Sequence, residues 1–174
     1  MMPSSEVITV GPATEPVDLY DVKENLRILH DDQDYYLISL IQAAREQAEK
    51  TLRRKIITQT AKAFYDYWPD DHCFHLPFGT VQSVTSVVYK TTDAVETTWD
   101  SGEYDVELDA VPAIVRLGHD KEWPDYDLHS SQPIYITFTC GFGSSKTDVP
   151  EALKTAIKLM VHELYDQPDR KSVV

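Results

Sequence analysis

The chain has 174 residues, which is enough for one domain with a sizeable core and too few for two independent domains of ordinary size. Hydrophobic residues make up 42% of it, a content that argues against intrinsic disorder. Sixteen basic against 29 acidic residues give a net charge of −13, and because such a surface repels phosphate, the balance disfavours a protein that grips nucleic acid directly.

Residues 1–16 contain three prolines and a glycine among polar residues, which predicts a mobile N-terminal arm. They lack a basic start followed by an apolar run, and no later stretch has the length needed to cross a bilayer. We therefore expect neither secretion nor a membrane span. Cys73 and Cys140 are too few for a disulfide framework, which favours a reducing compartment.

Helical periodicity predicts two helices after the arm, over residues 18–29 and 32–54. In the second, polar side chains occupy the face opposite a single apolar stripe, so this helix is expected to bury one side only. Acidic residues at its start and three basic residues at its end also suit the helix dipole. The stripe consists of Leu37, Leu40, Ile41, Ala44, Ala48 and Leu52.

Between residues 56 and 140 the period changes to two, and β-branched and aromatic residues occur in short runs separated by turn residues. Alternation over residues 104–109 and 134–140 is typical of strands with one buried face. Residues 84–90 and 95–99 predict a hairpin, and residues 118–133 a long surface loop. This region is therefore expected to be a mainly antiparallel sheet.

A closing helix is predicted over residues 150–166, and Pro168 ends it, leaving residues 168–174 as a tail. Its apolar face needs a partner, most simply the stripe of the long helix. The predicted fold is thus α+β, one domain over residues 17–167 with a small helical core and a β-rich insertion over residues 56–140. The predicted helix–helix contact consists of Leu40, Ile41, Ala44, Ile157 and Val161.

Two motifs invite a chemical interpretation, and neither supports one. His72, Cys73 and His75 are metal-ligand types, but positions three apart on a strand point to opposite faces and no second ligand pair has suitable spacing. Residues 141–147 are rich in glycine and hydroxyls, yet Ser145 stands where a phosphate-binding loop needs glycine. We therefore predict no catalytic residue, no cofactor and no metal, and a protein that is not an enzyme.

Three segments in order resemble the phage head-tail connector family. The opening helices are similar in residues 22–28 (VKENLRI), in Asp31, Asp32 and Asp34, in residues 40–44 (LIQAA) and in residues 57–60. Residues 76–77, 81–84 and 87–89 are similar to the beginning of the first strands in longer members of the family, which carry a β-rich insertion and include prophage and gene-transfer-agent relatives. Residues 149–154 (VPEALK) resemble the closing helix.

The resemblance implies a structural virion protein that forms a homo-oligomeric ring, twelve-fold in the particle, at the head-tail interface after assembly in the bacterial cytoplasm. The implied partners are the portal and a tail-side stopper or tail-completion protein, and DNA passes through without specific binding. Alternative interpretations are a tail-completion or tail-terminator protein, or a small hydrolase.

The end of the chain carries one further expectation. A short segment with β-branched residues can add a strand to a partner's sheet edge, so a portal-docking tail is predicted. It comprises Arg170, Lys171, Ser172, Val173 and Val174.

Overall fold

A computed structural model describes residues 1–166, and within them the chain forms three α-helices and eight β-strands. The helices are α1 (Leu19–Leu26), α2 (Asp34–Leu52) and α3 (Glu151–Asp166). The strands are β1 (Ser5–Val10), β2 (Gln59–Tyr65), β3 (Cys73–His75), β4 (Val81–Lys90), β5 (Glu96–Thr98), β6 (Tyr104–Glu107), β7 (Ile114–Leu117) and β8 (Ile134–Cys140). The α+β class and the helix, sheet, helix order predicted from the sequence are confirmed.

The strands form two antiparallel sheets in the described part of the chain. The larger has the order β1-β2-β8-β4-β5, and the smaller has the order β3-β7-β6. The predicted hairpin is β4 with β5, in which Val88 lies opposite Thr98. In the central strands β2 and β8, buried and half-buried residues alternate strictly, as the period of two predicted.

The N-terminal residues do not form the mobile arm that their prolines and glycine predicted. Ser5–Val10 is instead an edge strand that pairs antiparallel with β2, with Ser5 opposite Phe64. The run SEVITV, bounded by Pro3 and Gly11, is rich in β-branched residues, and pairing with β2 satisfies its main-chain groups. Ile8 also packs against the sheet core, so the strand adds to burial as well.

The side chains of strand β6 are more exposed than the sequence pattern predicted. Alternation predicted a buried apolar face for residues 104–109, but Val106 and Leu108 are 37% and 39% exposed. Strand β6 is one of the two edge strands of the three-stranded sheet, and within it only the first residue, Tyr104, packs against the core.

The three helices pack into one layer with a shared aliphatic core. Val22 of α1, Leu37 of α2 and Val161 of α3 are almost completely buried in it. Burial of each such side chain stabilises the fold by about 1.5–3 kcal/mol. Both N-terminal helices end earlier than predicted, because Arg27 and Arg53 adopt left-handed backbone conformations with φ of 57° and 50°. None of the helices in residues 1–166 is long and apolar enough to cross a membrane.

Candidate assembly interface

The predicted helix–helix residues lie inside the helical layer. Ile41, Ala44, Ile157 and Val161 are at most 2% exposed and belong to one cluster of buried side chains, whereas Leu40 is half-buried at its margin. These residues are occupied in holding α2 and α3 together. They are therefore not available for contact with another protein, whereas both ends of α2 carry exposed apolar side chains, Tyr35 and Leu52.

The C-terminal end of α2 borders an open groove. Leu52, which the periodicity assigned to the buried stripe, is 45% exposed and lines this groove of about 890 Å³. Arg53 ends the helix in a left-handed turn, so no further helical turn covers Leu52. Phe78 and Val111 supply apolar side chains from the facing loops. We call this site, with the basic residues 50–55 around it, the basic groove.

The turn that forms one wall of the groove has an unusual backbone. Phe78 and Thr80 both adopt positive φ angles, 63° and 67°, which are uncommon for residues with side chains. Between them, a Cβ atom at Gly79 would lie 2.8 Å from Nε of Arg54, so a larger residue there would displace the Arg54 side chain. The wall is thus shaped around Arg54.

Positive charge is concentrated at the groove, although the protein as a whole is acidic. Residues 50–55 include four basic and no acidic residues. Lys55 pairs with buried Glu49 and lies over the Phe78 ring at 4.9 Å. Lys50, Arg53 and Arg54 make no ion pair with any residue of the described chain. Three unpaired cations beside exposed apolar surface suit a partner that is both acidic and apolar.

Acidic side chains also line the groove, and most of them are occupied. Glu46 lies 3.6 Å from Arg45, and Glu49 accepts from Lys55, whereas Glu6 has no cationic partner within residues 1–166. One free carboxylate against three free cations leaves the groove net positive.

A buried polar network fixes the end of α2 to the sheet. Glu49 is 5% exposed; its Oε1 accepts from the main-chain N of Ile56 at 3.1 Å and from Nε2 of Gln59 at 2.9 Å. Its Oε2 accepts from Nζ of Lys55 at 3.1 Å and lies 3.5 Å from Nη1 of Arg45. Arg45 in turn donates from Nε to Glu15 at 2.9 Å. Because every buried charge is paired, the groove stands on a rigid base.

The opposite end of α2 is acidic and apolar. Leu29 is 98% exposed, Tyr35 91% and Tyr20 73%. Residues 19–35 hold five acidic and two basic residues, and we call this region the acidic patch. Between Tyr35 in this patch and Lys50 in the basic groove, helix α2 rises by roughly 22 Å at 1.5 Å per residue.

Within the acidic patch one lysine organises the loop between α1 and α2. Nζ of Lys23 lies 2.5 Å from Asp31 and 2.8 Å from Asp34. Hydrogen bonds to these carboxylates raise the pKa of Lys23, and the bond from Lys23 lowers the pKa of Asp31. Glu24 has no ion pair among the described residues, and Asp32 has only His30, at 3.7 Å and only when that ring is protonated. Uncompensated negative charge therefore remains at the surface.

A possible metal-binding arrangement that the sequence did not predict lies on β3. Asp71, Cys73 and His75 bring one ligand atom each within 4.8 Å of one another. Cys73 and His75 share a face of β3, since residues two apart on a strand point the same way, and Asp71 lies in the turn before the strand. Burial first, and then the hydrogen bond to Asp71, raise the pKa of the Cys73 thiol, which disfavours the thiolate form that binds metal ions. The N-terminal ammonium of Met1 already lies beside Asp71, at 3.4 Å.

The glycine-rich segment before α3 is a structural connection. Ser145 and Asp148 form a capping box around a short 3₁₀ helix over Lys146–Asp148, so the main-chain N–H groups that a phosphate would need are partly occupied. Lys146 pairs with Asp18, which ties this connection to the start of α1. The predicted docking tail, residues 170–174, lies outside the described residues.

The basic groove and acidic patch were not recognised in the sequence. The basic residues after α2 were interpreted only as partners of the helix dipole, and Leu52 as part of the core. One available signal was the concentration of four cations within six residues of a chain with net charge −13.

Comparisons with known proteins point to one assignment. The model of the family described as "Phage gp6-like head-tail connector protein" matches residues 16–109, which is more than half of the chain. The match includes both N-terminal helices, the basic groove residues 50–55 and the acidic patch. A search of curated proteins gives no match.

Solved structures show the same fold over nearly the whole chain. A chain of "Virion of native gene transfer agent (GTA) particle" is 18% identical, with a TM-score of 0.81 over 97% of this chain and 88% of that one. A chain of "Neck of empty GTA particle computed with C6 symmetry" is 19% identical, with a TM-score of 0.82 and coverages of 98% and 87%. A chain of "Neck of native GTA particle computed with C12 symmetry" is 22% identical, with a TM-score of 0.74 and coverages of 98% and 86%.

Proposed function

The chain belongs to the phage gp6-like head-tail connector family, and from this membership we propose that it forms a closed ring in the neck of a phage-like particle. The family match over residues 16–109 is the observation that carries this proposal. In this role the protein is a structural subunit without catalytic function, and it joins the head to the tail around a channel for DNA.

The fold supports a neck position and a ring of twelve. Three chains with this fold come from gene transfer agent particles, two of them from necks computed with C6 and C12 symmetry. The similarity extends over the β-rich insertion as well as the helices, since it covers at least 97% of this chain. A ring of twelve subunits is compatible with both symmetries.

The proposed neighbours are the portal on the head side and a stopper or tail-completion protein on the tail side. A connector must present two different faces along the axis of its ring. Val106 in β6 and Leu108 just after it are exposed apolar side chains and offer a surface for one of these neighbours. DNA passes through without specific binding, because a net charge of −13 supplies few cations for phosphate contacts.

We further propose that residues 170–174 bind the portal as an added strand. Support comes from the composition of the segment, which follows Pro168 and includes Val173 and Val174. Removal of residues 168–174 should leave thermal unfolding unchanged and weaken co-sedimentation with portal rings. Undiminished co-sedimentation would place portal binding on another surface.

Native mass spectrometry of the purified protein, alone and with its portal, tests the ring directly. We expect a closed oligomer of about twelve copies, either in solution or on the portal. A protein that stays monomeric under both conditions would contradict the proposal.

A further inference from the structure

We infer that neighbouring subunits of the ring contact each other head to tail, with the acidic patch of one copy seated on the basic groove of the next. This inference rests on the proposed ring and names the surfaces that close it. A contact between two different surfaces, repeated around an axis, generates a ring, whereas a self-complementary contact stops at a dimer.

Charge complementarity identifies a second copy as the occupant of the groove. Lys50, Arg53 and Arg54 are unpaired within the described chain. The acidic patch offers Glu24 and Asp32, which are exposed and have no permanently charged partner there. Opposite charges on the two surfaces favour this orientation and disfavour groove-to-groove or patch-to-patch pairing.

Apolar surface matches as well as charge. Leu29 and Tyr35 are more than 90% exposed, which is unusual for large apolar side chains next to a well-packed layer. The basic groove offers Leu52, Phe78 and Val111 on the receiving side. Burial of these side chains supplies most of the affinity, and the charges select the partner surface.

The distance between the two surfaces prevents them from contacting each other within one copy. Helix α2 separates the two surfaces by roughly 22 Å, and Glu49 fixes its C-terminal end to the sheet through buried hydrogen bonds. The patch of a given subunit therefore cannot reach its own groove. It is free for the next subunit, which is the arrangement that a ring requires.

Charge reversal tests the contact at exposed side chains, none of which pairs with a permanently charged residue of the described chain. The groove variant carries Lys50→Glu and Arg53→Glu, and the patch variant carries Glu24→Lys and Asp32→Lys. Each should raise the protein concentration needed for ring assembly by at least about tenfold, because like charges then face each other. The control variant, Asp125→Lys with Asp127→Lys, makes the same change of charge as the patch variant, but in the loop 118–133, and should assemble like the wild type.

A mixture of the two defective variants gives the decisive result. In a ring that alternates the two variants, the acidic groove of the groove variant faces the basic patch of the patch variant. The unchanged basic groove of the patch variant faces the unchanged acidic patch of the groove variant. A 1:1 mixture should therefore assemble, although neither variant does so alone. Carbodiimide cross-linking of mixed ¹⁴N- and ¹⁵N-labelled wild-type rings should join Lys50 to carboxylates of residues 21–34 in another copy.

The outcomes separate this contact from the ring itself. Suppose that the wild type forms rings, that both charge-reversal variants assemble equally well, and that the cross-links are absent. That result would overturn the head-to-tail contact and leave the ring proposal standing. Loss of assembly in both variants without rescue in the mixture would also overturn the pairing of these two surfaces. Wild-type protein that forms no ring, alone or on its portal, would overturn the ring proposal and this contact with it.

Discussion

The helical layer and the β-rich region are held together by different chemistry. Aliphatic side chains such as Leu37, Ile41 and Ile157 fill the helical core, whereas the β-rich core contains all three tryptophans of the chain. The ring of Trp123 lies 5.0 Å from that of Trp68 and 5.1 Å from that of Trp99. A narrow aliphatic stripe leaves the ends of α2 free for partners, while stacked rings anchor a long loop to the sheet.

The largest effect is expected in the aliphatic core. Ile157→Asp places an unpaired charge at a site with 0% exposure and should destabilise the fold by at least about 4 kcal/mol, abolishing cooperative unfolding. Leu159→Asp, two residues further along α3 and 62% exposed, is the matched control and should unfold like the wild type. Equal melting of both variants would show that this face of α3 is not in the core.

A smaller and more local effect is expected in the aromatic core. Trp123 is half-buried, stacks on Trp68 and donates from Nε1 to the carbonyl of Pro69 at 3.2 Å. Trp123→Ala should lower the free energy of unfolding by about 2–3 kcal/mol and increase amide hydrogen exchange first in residues 118–133. Tyr67→Ala, at a site 60% exposed, serves as the control.

The exchange pattern of that variant shows how far the two cores are coupled. Faster amide exchange in residues 118–133, with unchanged exchange in α2 and α3, would support two cores that open separately. Equal acceleration in the helices would contradict that separation.

The polar network between the two regions should show an intermediate cost. Glu49→Gln keeps the shape of the side chain but removes the charge that pairs with Lys55 and Arg45, and we expect a loss of about 2–4 kcal/mol in chemical denaturation. Glu46→Gln tests the same helix and the same arginine at an exposed carboxylate, where a loss below about 0.5 kcal/mol is expected. Similar losses in the two variants would show that burial of Glu49 does not matter.

The smallest effect is a pH dependence in the β-rich core. Burial raises the pKa of Cys140 to about 12, from an ordinary value of 9.0. Between these two pH values the thiol stays protonated in the folded state and is deprotonated in the unfolded chain. Its contribution to the free energy of unfolding is therefore complete below about pH 9 and decreases as the pH rises towards 12. The loss in the free energy of unfolding that this thiol causes is at most about 1.4 kcal/mol per pH unit.

Cys140→Ala should reduce that slope in unfolding measured between pH 8 and pH 11. Part of the slope should persist, because burial also raises the pKa of Tyr65. An unchanged slope would show that Cys140 does not contribute to it.

The sequence predicted the parts of the fold whose side-chain pattern is strictly periodic. Strand β8 and the hairpin of β4 with β5 are confirmed, because alternation reports directly on a strand with one buried face. Strand β1 was missed, since a short run between Pro3 and Gly11 gains its order from pairing with a strand more than 50 residues away. Burial of Val106 was wrongly predicted, because alternation does not show how much of a strand the core covers, and β6 packs against the core only at Tyr104.

The candidate interface was harder to predict than the fold. Leu52 continues the apolar stripe of α2, and its exposure follows from where the helix ends and the chain turns, at Arg53. The groove also needs the loops around Phe78 and Val111, which tertiary structure alone brings to the end of α2.

Electron microscopy of the protein mixed with its own portal tests the central claim most directly. We predict class averages with closed rings of twelve subunits, coaxial with the portal, in which α2 of each subunit extends from one neighbour towards the other. Portal particles without a coaxial ring, or with single copies bound at the periphery, would contradict the assignment of this chain as a ring-forming connector.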